Sequence, residues 1–214
     1  MKKENAKRIA LAAALVAVIG IGTSLAYFTD TDSKTNVVTL GNVNGTLNEE
    51  KDGKTLDVGE DGFEYKDIRP GDELDKQPFV TLGSDSQDAY VRVRVEVVNT
   101  GADKGITDEM KQDVLDGLSG TGANWVIGNK PAGAEGICKY YYYQTPLTKA
   151  DPVTSRVFTT VTIPTKWENE AGDVSFQIKV TADLVQSANI DSELEKDASN
   201  NIIGWGSIDI KPAN

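Results

Sequence analysis

The residue types that could do chemistry in this chain are unevenly supplied. It has 33 Asp and Glu, one cysteine (Cys138) and no histidine in 214 residues. Without histidine there is no Ser-His-Asp or Cys-His nucleophile site and no H-E-x-x-H zinc site. The acids are the remaining candidates. Asp30-Thr31-Asp32-Ser33 opens like a calcium loop, but an EF-hand needs Gly at the sixth position and Glu at the twelfth. Thr35 and Gly41 stand there instead. Glu49-Glu50, Asp57-Glu60-Asp61 and Asp72-Glu73-Asp75 are acid clusters that read as solvated turns, with weak calcium binding as the alternative. A glycosidase needs two facing acids at a set separation, and no acid here stands out from the rest. Cys138 reads as a small buried residue, the alternative being a bond to another molecule. Tyr140 to Tyr143 with Trp125, Trp167 and Trp205 read as core, or as a sugar-binding surface if exposed. Asn44-Gly45-Thr46 matches a glycosylation sequon but carries little weight. The chain reads as non-enzymatic, with no catalytic, cofactor-binding or metal-binding residue and no cofactor.

Charge narrows the partners. With 22 Lys and Arg, the formal net charge is -11, which argues against nucleic acid, whose phosphates require clustered cations.

The first 26 residues read as a secretory signal peptide. Lys2, Lys3, Lys7 and Arg8 precede an apolar run from Ile9 to Ile21, and small residues Ser24 and Ala26 flank Leu25 before Tyr27. That order of basic head, apolar body and small-residue exit predicts signal-peptidase cleavage between Ala26 and Tyr27. The alternative is a retained anchor, since Ile9–Ala26 spans 18 residues, near the lower limit for crossing a bilayer. Contact with membrane is expected only through this peptide before cleavage. Removing it leaves 18 basic and 32 acidic residues, a net charge of -14, a self-repelling surface suited to a soluble exported protein.

The remainder must position whatever function there is, and it reads as β. Val91, Val93, Val95 and Val97 alternate with Arg92, Arg94 and Glu96, the pattern of a half-buried strand. Phe176 to Leu184 and Val157 to Ile163 alternate likewise. The four tyrosines predict a strand covered on both faces. Val43–Leu47, Phe79–Leu82, Asn124–Ile127 and Ile202–Trp205 are shorter candidates. Asp52-Gly53, Asp61-Gly62 and Arg69-Pro70-Gly71-Asp72 predict turns. One helix is expected, capped by Thr107, with Met110, Val114, Leu115 and Leu118 on one face and an end at Gly117 to Gly120. The expectation is a mainly β, jelly-roll-like β-sandwich with one or two short inserted helices. Three segments follow: 1–26 signal peptide, 27–42 extended segment, 43–214 β-sandwich domain.

The junction Thr23-Ser24-Leu25-Ala26-Tyr27-Phe28-Thr29-Asp30, followed by Thr39-Leu40-Gly41-Asn42-Val43, resembles the secretion region of the TasA/CalY/camelysin family of Gram-positive bacteria. Arg69-Pro70-Gly71-Asp72, Asp88-Ala89-Tyr90-Val91-Arg92-Val93 and Ile178-Lys179-Val180-Thr181-Ala182 extend the resemblance over most of the chain, as does Ala182-Asp183-Leu184-Val185-Gln186. The resemblance implies export with a signal peptidase of the SipW type, a jelly-roll fold, and residence at the cell surface or in biofilm matrix. It also implies assembly into extracellular fibres, by self-assembly or with related matrix subunits, each N-terminal segment completing a neighbour's sheet. Some members carry a metallopeptidase label, from which this chain departs in having no His ligand. A camelysin-like metallopeptidase and a monomeric surface adhesin or binding module are the alternatives.

The residues themselves suit a donated strand. Tyr27, Thr29, Thr31, Ser33, Thr35, Val37 and Thr39 share one uncharged face, and every charge from 27 to 40 falls on the other. At about 3.3 Å per residue the segment reaches roughly 45 Å. The alternative is a flexible leader that gives the peptidase access.

Overall fold

The computed structural model describes residues 29–32, 43–57, 69–99, 105–167, 174 and 176–208. In chain order the elements are β1 (Thr29–Asp32), β2 (Gly45–Lys51), β3 (Lys54–Asp57), β4 (Glu73–Asp75), β5 (Gln77–Leu82), β6 (Ala89–Asn99) and α1 (Asp108–Asp116). Then come β7 (Leu118–Ser119), β8 (Trp125–Gly128), β9 (Cys138–Tyr143), β10 (Thr160–Thr162), a 3-10 turn (Thr165–Trp167), β11 (Phe176–Gln186), β12 (Glu195–Lys196) and β13 (Ile202–Gly204). The protein is mainly β and antiparallel, as its alternating segments predict.

One layer is a five-stranded sheet in the order β1-β11-β6-β9-β8. The other comprises the sheets β3-β2-β5 and β4-β10-β7. Only Lys76 separates β4 from β5. Hydrogen bonds from Leu82 N to Pro152 O, Thr154 N to Val80 O, Val157 N to Pro78 O and Lys76 N to Thr159 O bind residues 152–159 alongside them. The two small sheets thereby form one layer. Between the layers lies a core in which Val91, Val93, Val95 and Val97 are at most 2% exposed. They pack with Leu47, Val80 and Leu82 from the facing layer and with Met110, Val114 and Leu115 of α1. Each valine so buried contributes about 1.5–3 kcal/mol of transfer free energy.

The five-stranded sheet is covered on its other face too. Tyr141 and Tyr143 enter the main core. Tyr140 and Tyr142 enter a second cluster with Val185, Ile190, Leu194, Ile202, Trp205 and Ile208. The four consecutive tyrosines are therefore a strand buried on both faces, as their rings predict.

Local chemistry matches at the turns. Asp52 (φ 51) and Gly53 (φ 73) are both left-handed, a type I′ hairpin turn between β2 and β3. Asp72 N donates to Arg69 O at 3.0 Å with Gly71 at φ 93, a type II turn with Pro70 at its second position. The Asp61-Gly62 turn lies outside the described residues. Thr107 Oγ1 accepts from Met110 N at 3.2 Å and caps α1.

Two expectations need correction. Leu118 begins β7 rather than continuing α1. Gly117 is the C-cap of the helix, and a side chain is excluded there because a Cβ would lie 2.3 Å from Thr162 O. The Val157–Ile163 alternation yields regular strand only at Thr160–Thr162. Thr159 donates its N–H to Ser119 O and accepts from Lys76 N. It thus uses opposite neighbours at one residue, which a regular strand cannot do.

Burial pushes the Tyr141 and Tyr142 phenols up to about 12, whereas in the unfolded chain they ionise near about 10. Folding therefore favours the neutral rings. This stabilisation is complete below about pH 10 and is lost as pH rises through about 12. The denaturation midpoint is expected to fall across that window, with tyrosinate absorbance appearing together with unfolding. Ionisation of all seven tyrosines in a still-folded protein would contradict the burial.

Candidate functional site

The candidate site is the outer edge of the five-stranded sheet. β11 pairs with β6 over its full length, from Phe176 opposite Asn99 to Gln186 opposite Ala89. On its other side, among the described residues, β1 covers four positions. Thr29 lies opposite Val185, Asp30 opposite Leu184, Thr31 opposite Asp183 and Asp32 opposite Ala182. Among the described residues, Phe176–Thr181 has no strand on that side. An unpaired row of backbone donors and acceptors on an edge is a template for another strand.

Of the residues picked out for donation, Thr29 and Thr31 stand in β1, with the register just given. Asp30 and Asp32 stand opposite Leu184 and Ala182, which belong to the main core. Tyr27, Ser33, Thr35, Val37 and Thr39 lie outside the described residues, as do Ser24 and Ala26 of the cleavage site.

Beneath this edge is a buried ion pair. Arg92 Nε and Nη2 donate to Asp183 Oδ2 at 2.9 and 2.5 Å, and each side chain is 9% exposed. The guanidinium carbon lies 4.8 Å from the Trp205 ring centre and 5.4 Å from that of Tyr140. This pair cross-links β6 and β11 on the face covered by the C-terminal residues. Cation–π contact offsets part of the cost of dehydrating arginine.

A second buried pair lies in the opposite layer. Lys76 Nζ is 2.6 Å from Glu49 Oε2, and both residues are buried. Burial pushes the Lys76 ammonium below its ordinary value, and Glu49 opposes that shift. Glu49 is not the solvated turn residue that sequence suggests. It shares a face of β2 with Leu47, and that face looks into the sandwich. Glu50 also differs from the expectation, since it pairs with Arg156, whose guanidinium lies 3.9 Å from the Phe79 ring centre.

The other acid clusters serve turns where they are described. Asp72 Oδ2 accepts from Arg69 N at 2.7 Å, and Asp75 Oδ2 accepts from Asp52 N at 2.7 Å. Among the described residues no group of His, Cys, Asp and Glu could hold a metal ion. Trp125, Trp167, Trp205 and Tyr140–Tyr143 are each at most 5% exposed, so they are core and form no open sugar platform. Cys138 is half-buried, its thiol 3.8 Å from the carbonyls of Glu135 and Gly136. Among the described residues, no helix is long and apolar enough to cross a membrane.

Compared with known proteins, the chain matches no family description, no curated protein and no solved structure.

Sequence reasoning proposed a donor segment but no receiving edge. The alternation of β11 was legible. Its position next to β1 depends on strand order. Both buried ion pairs were also missed, because Arg92 and Glu49 look like wet positions when each strand is read alone.

Replacing Arg92 with Ala leaves Asp183 buried without its guanidinium. Urea unfolding is expected to report a loss of about 3–5 kcal/mol. The double variant Arg92→Met, Asp183→Leu should recover most of it, because an apolar pair needs no partner charge. A single variant as stable as the natural chain would count against this account.

Proposed function

We propose that this chain is a secreted structural subunit of extracellular fibres or biofilm matrix. It assembles by β-strand complementation through its N-terminal segment. In this reading the subunit is of jelly-roll type and is exported by a signal peptide cut after Ala26 by a signal peptidase of the SipW type. It then resides in the extracellular matrix or at the cell surface. The work it does is backbone pairing between copies rather than bond-breaking.

One observation carries the reading. The segment that sequence marks as a donor contributes β1, a four-residue edge strand, and beside it six residues of β11 have no strand among the described residues. An edge strand can exchange between copies, since the ladder bonds that break re-form on a neighbour. Cleavage after Ala26 would place it at a new N-terminus, from which it leaves one sheet and enters another without unthreading other elements. The acidic body, at -14 after cleavage, keeps free subunits apart, so specific strand pairing is needed to bring them together. The resemblance to the TasA/CalY/camelysin family supports the same function.

The test compares mature protein beginning at Tyr27 with a version lacking Tyr27 to Thr35. Electron microscopy of concentrated samples is expected to show polymers of the first and monomers of the second. Polymers of the shortened protein would refute strand donation by this segment.

A further inference from the structure

Lys76 is the one buried lysine among the described residues, and its partner Glu49 is buried with it. Nζ lies 2.6 Å from Glu49 Oε2. In the pairs made by Lys111, Lys139 and Lys166 one member is always open to water, since Asp108, Asp116 and Lys166 are each at least 60% exposed. The buried Arg92–Asp183 pair differs in kind, because a guanidinium does not give up its proton.

Local structure brings the two side chains together. Glu49 shares a face of β2 with Leu47, and Leu47 belongs to the main core. On β5 the residue opposite Glu49 is Pro78. Lys76 lies two residues before Pro78, in the step between β4 and β5, where its N–H donates to Thr159 O. The two side chains therefore meet as a diagonal pair across neighbouring strands.

A dry pair has chemistry that a wet one lacks. In water the ammonium stays protonated and is no nucleophile. Burial penalises both charges and pushes the Lys76 ammonium towards the free amine. Moving one proton across the contact gives an amine and a carboxylic acid, neither of them charged. Glu49 Oε1 has no hydrogen-bond partner among the described residues, and an unpaired oxygen costs less on a neutral group than on a carboxylate. The carboxyl carbon lies one C–O bond from Oε2, hence under about 3.9 Å from Nζ. That is close to the separation of a reacting pair.

We propose that Lys76 and Glu49 condense in the folded protein to an isopeptide bond, a covalent cross-link between β2 and the residue that leads into β5. The Nζ lone pair attacks Cδ of the protonated carboxyl. A C–N bond forms and the C–Oε2 bond breaks. Oε2 leaves as water, carrying the proton it took from the ammonium and a second one from the nitrogen. Oε1 stays as the amide carbonyl oxygen. The product replaces two buried charges with one neutral amide, and the core that excludes water slows its hydrolysis. The link closes the stretch from Glu49 to Lys76, 28 residues that include the Asp52-Gly53 hairpin turn and the Arg69–Asp72 turn. With one cysteine the chain has no internal disulfide, and this bond would restrict the unfolded chain in the way a disulfide does. It does not depend on assembly between copies.

The test weighs mature protein beginning at Tyr27 after unfolding in urea. The expected mass is one water below that of the sequence. Trypsin is then expected to leave Lys76 uncut, with residues 35–51 joined to residues 67–92 in one branched peptide. Fragmentation should place the junction at Glu49 and Lys76. Lys76→Arg keeps the charge but loses the nucleophile, and it is expected at its full sequence mass. Full mass in the ordinary protein, with Glu49 and Lys76 in separate peptides, would overturn the proposal. So would a lost water that persists in Lys76→Arg, or one traced to a cyclic imide at Asp52-Gly53.

Discussion

The pairing of β6 with β11 is the constraint on which the rest depends. Eleven residues of each strand run in unbroken antiparallel register, Phe176 against Asn99 through Gln186 against Ala89. That register puts valines against Val180, Ala182 and Leu184 on the inward face, and Arg92 against Asp183 on the outward one. A slip of one residue would turn the valines of β6 to the wrong side of β11 and separate the buried charges. Apolar burial and the ion pair therefore enforce the same alignment.

Where this ribbon and its neighbour β9 are covered on both faces, their buried polar residues are satisfied within the protein. Arg92 meets Asp183 and two aromatic rings. The Tyr142 hydroxyl donates to Asn129 O at 2.9 Å. Lys139 reaches Leu115 O at the end of α1 and also Asp116. These links tie the helix and the C-terminal residues to the central strands, and the buried polar groups specify which covering element sits where.

The two ends of the five-stranded sheet differ. At one end β8 is flanked by the C-terminal residues, where Asn129 N donates to Ile203 O at 2.6 Å. At the other, β1 borders β11 over four positions. The strand exchange proposed above would draw on this asymmetry, because an assembly built through one edge of the sheet is directional.

Much of the architecture follows from local pattern. Period-two runs of Val and Ile, the Asp-Gly and Pro-Gly turns, and the Thr107 cap each depend on a few neighbouring residues, so sequence by itself determined that the chain is mainly β, where β6, β9 and β11 lie, and where the helix starts. The same reading takes Arg92 and Glu49 for wet positions, because alternation treats every charged residue as solvent-facing. Only the tertiary structure decided that both are buried, since burial depends on a layer contributed by residues far away in the chain. Strand order and the pairing of β1 with β11 belong to that same class. They arise from which strands meet across the sheet, and local propensity carries no information about partners that distant.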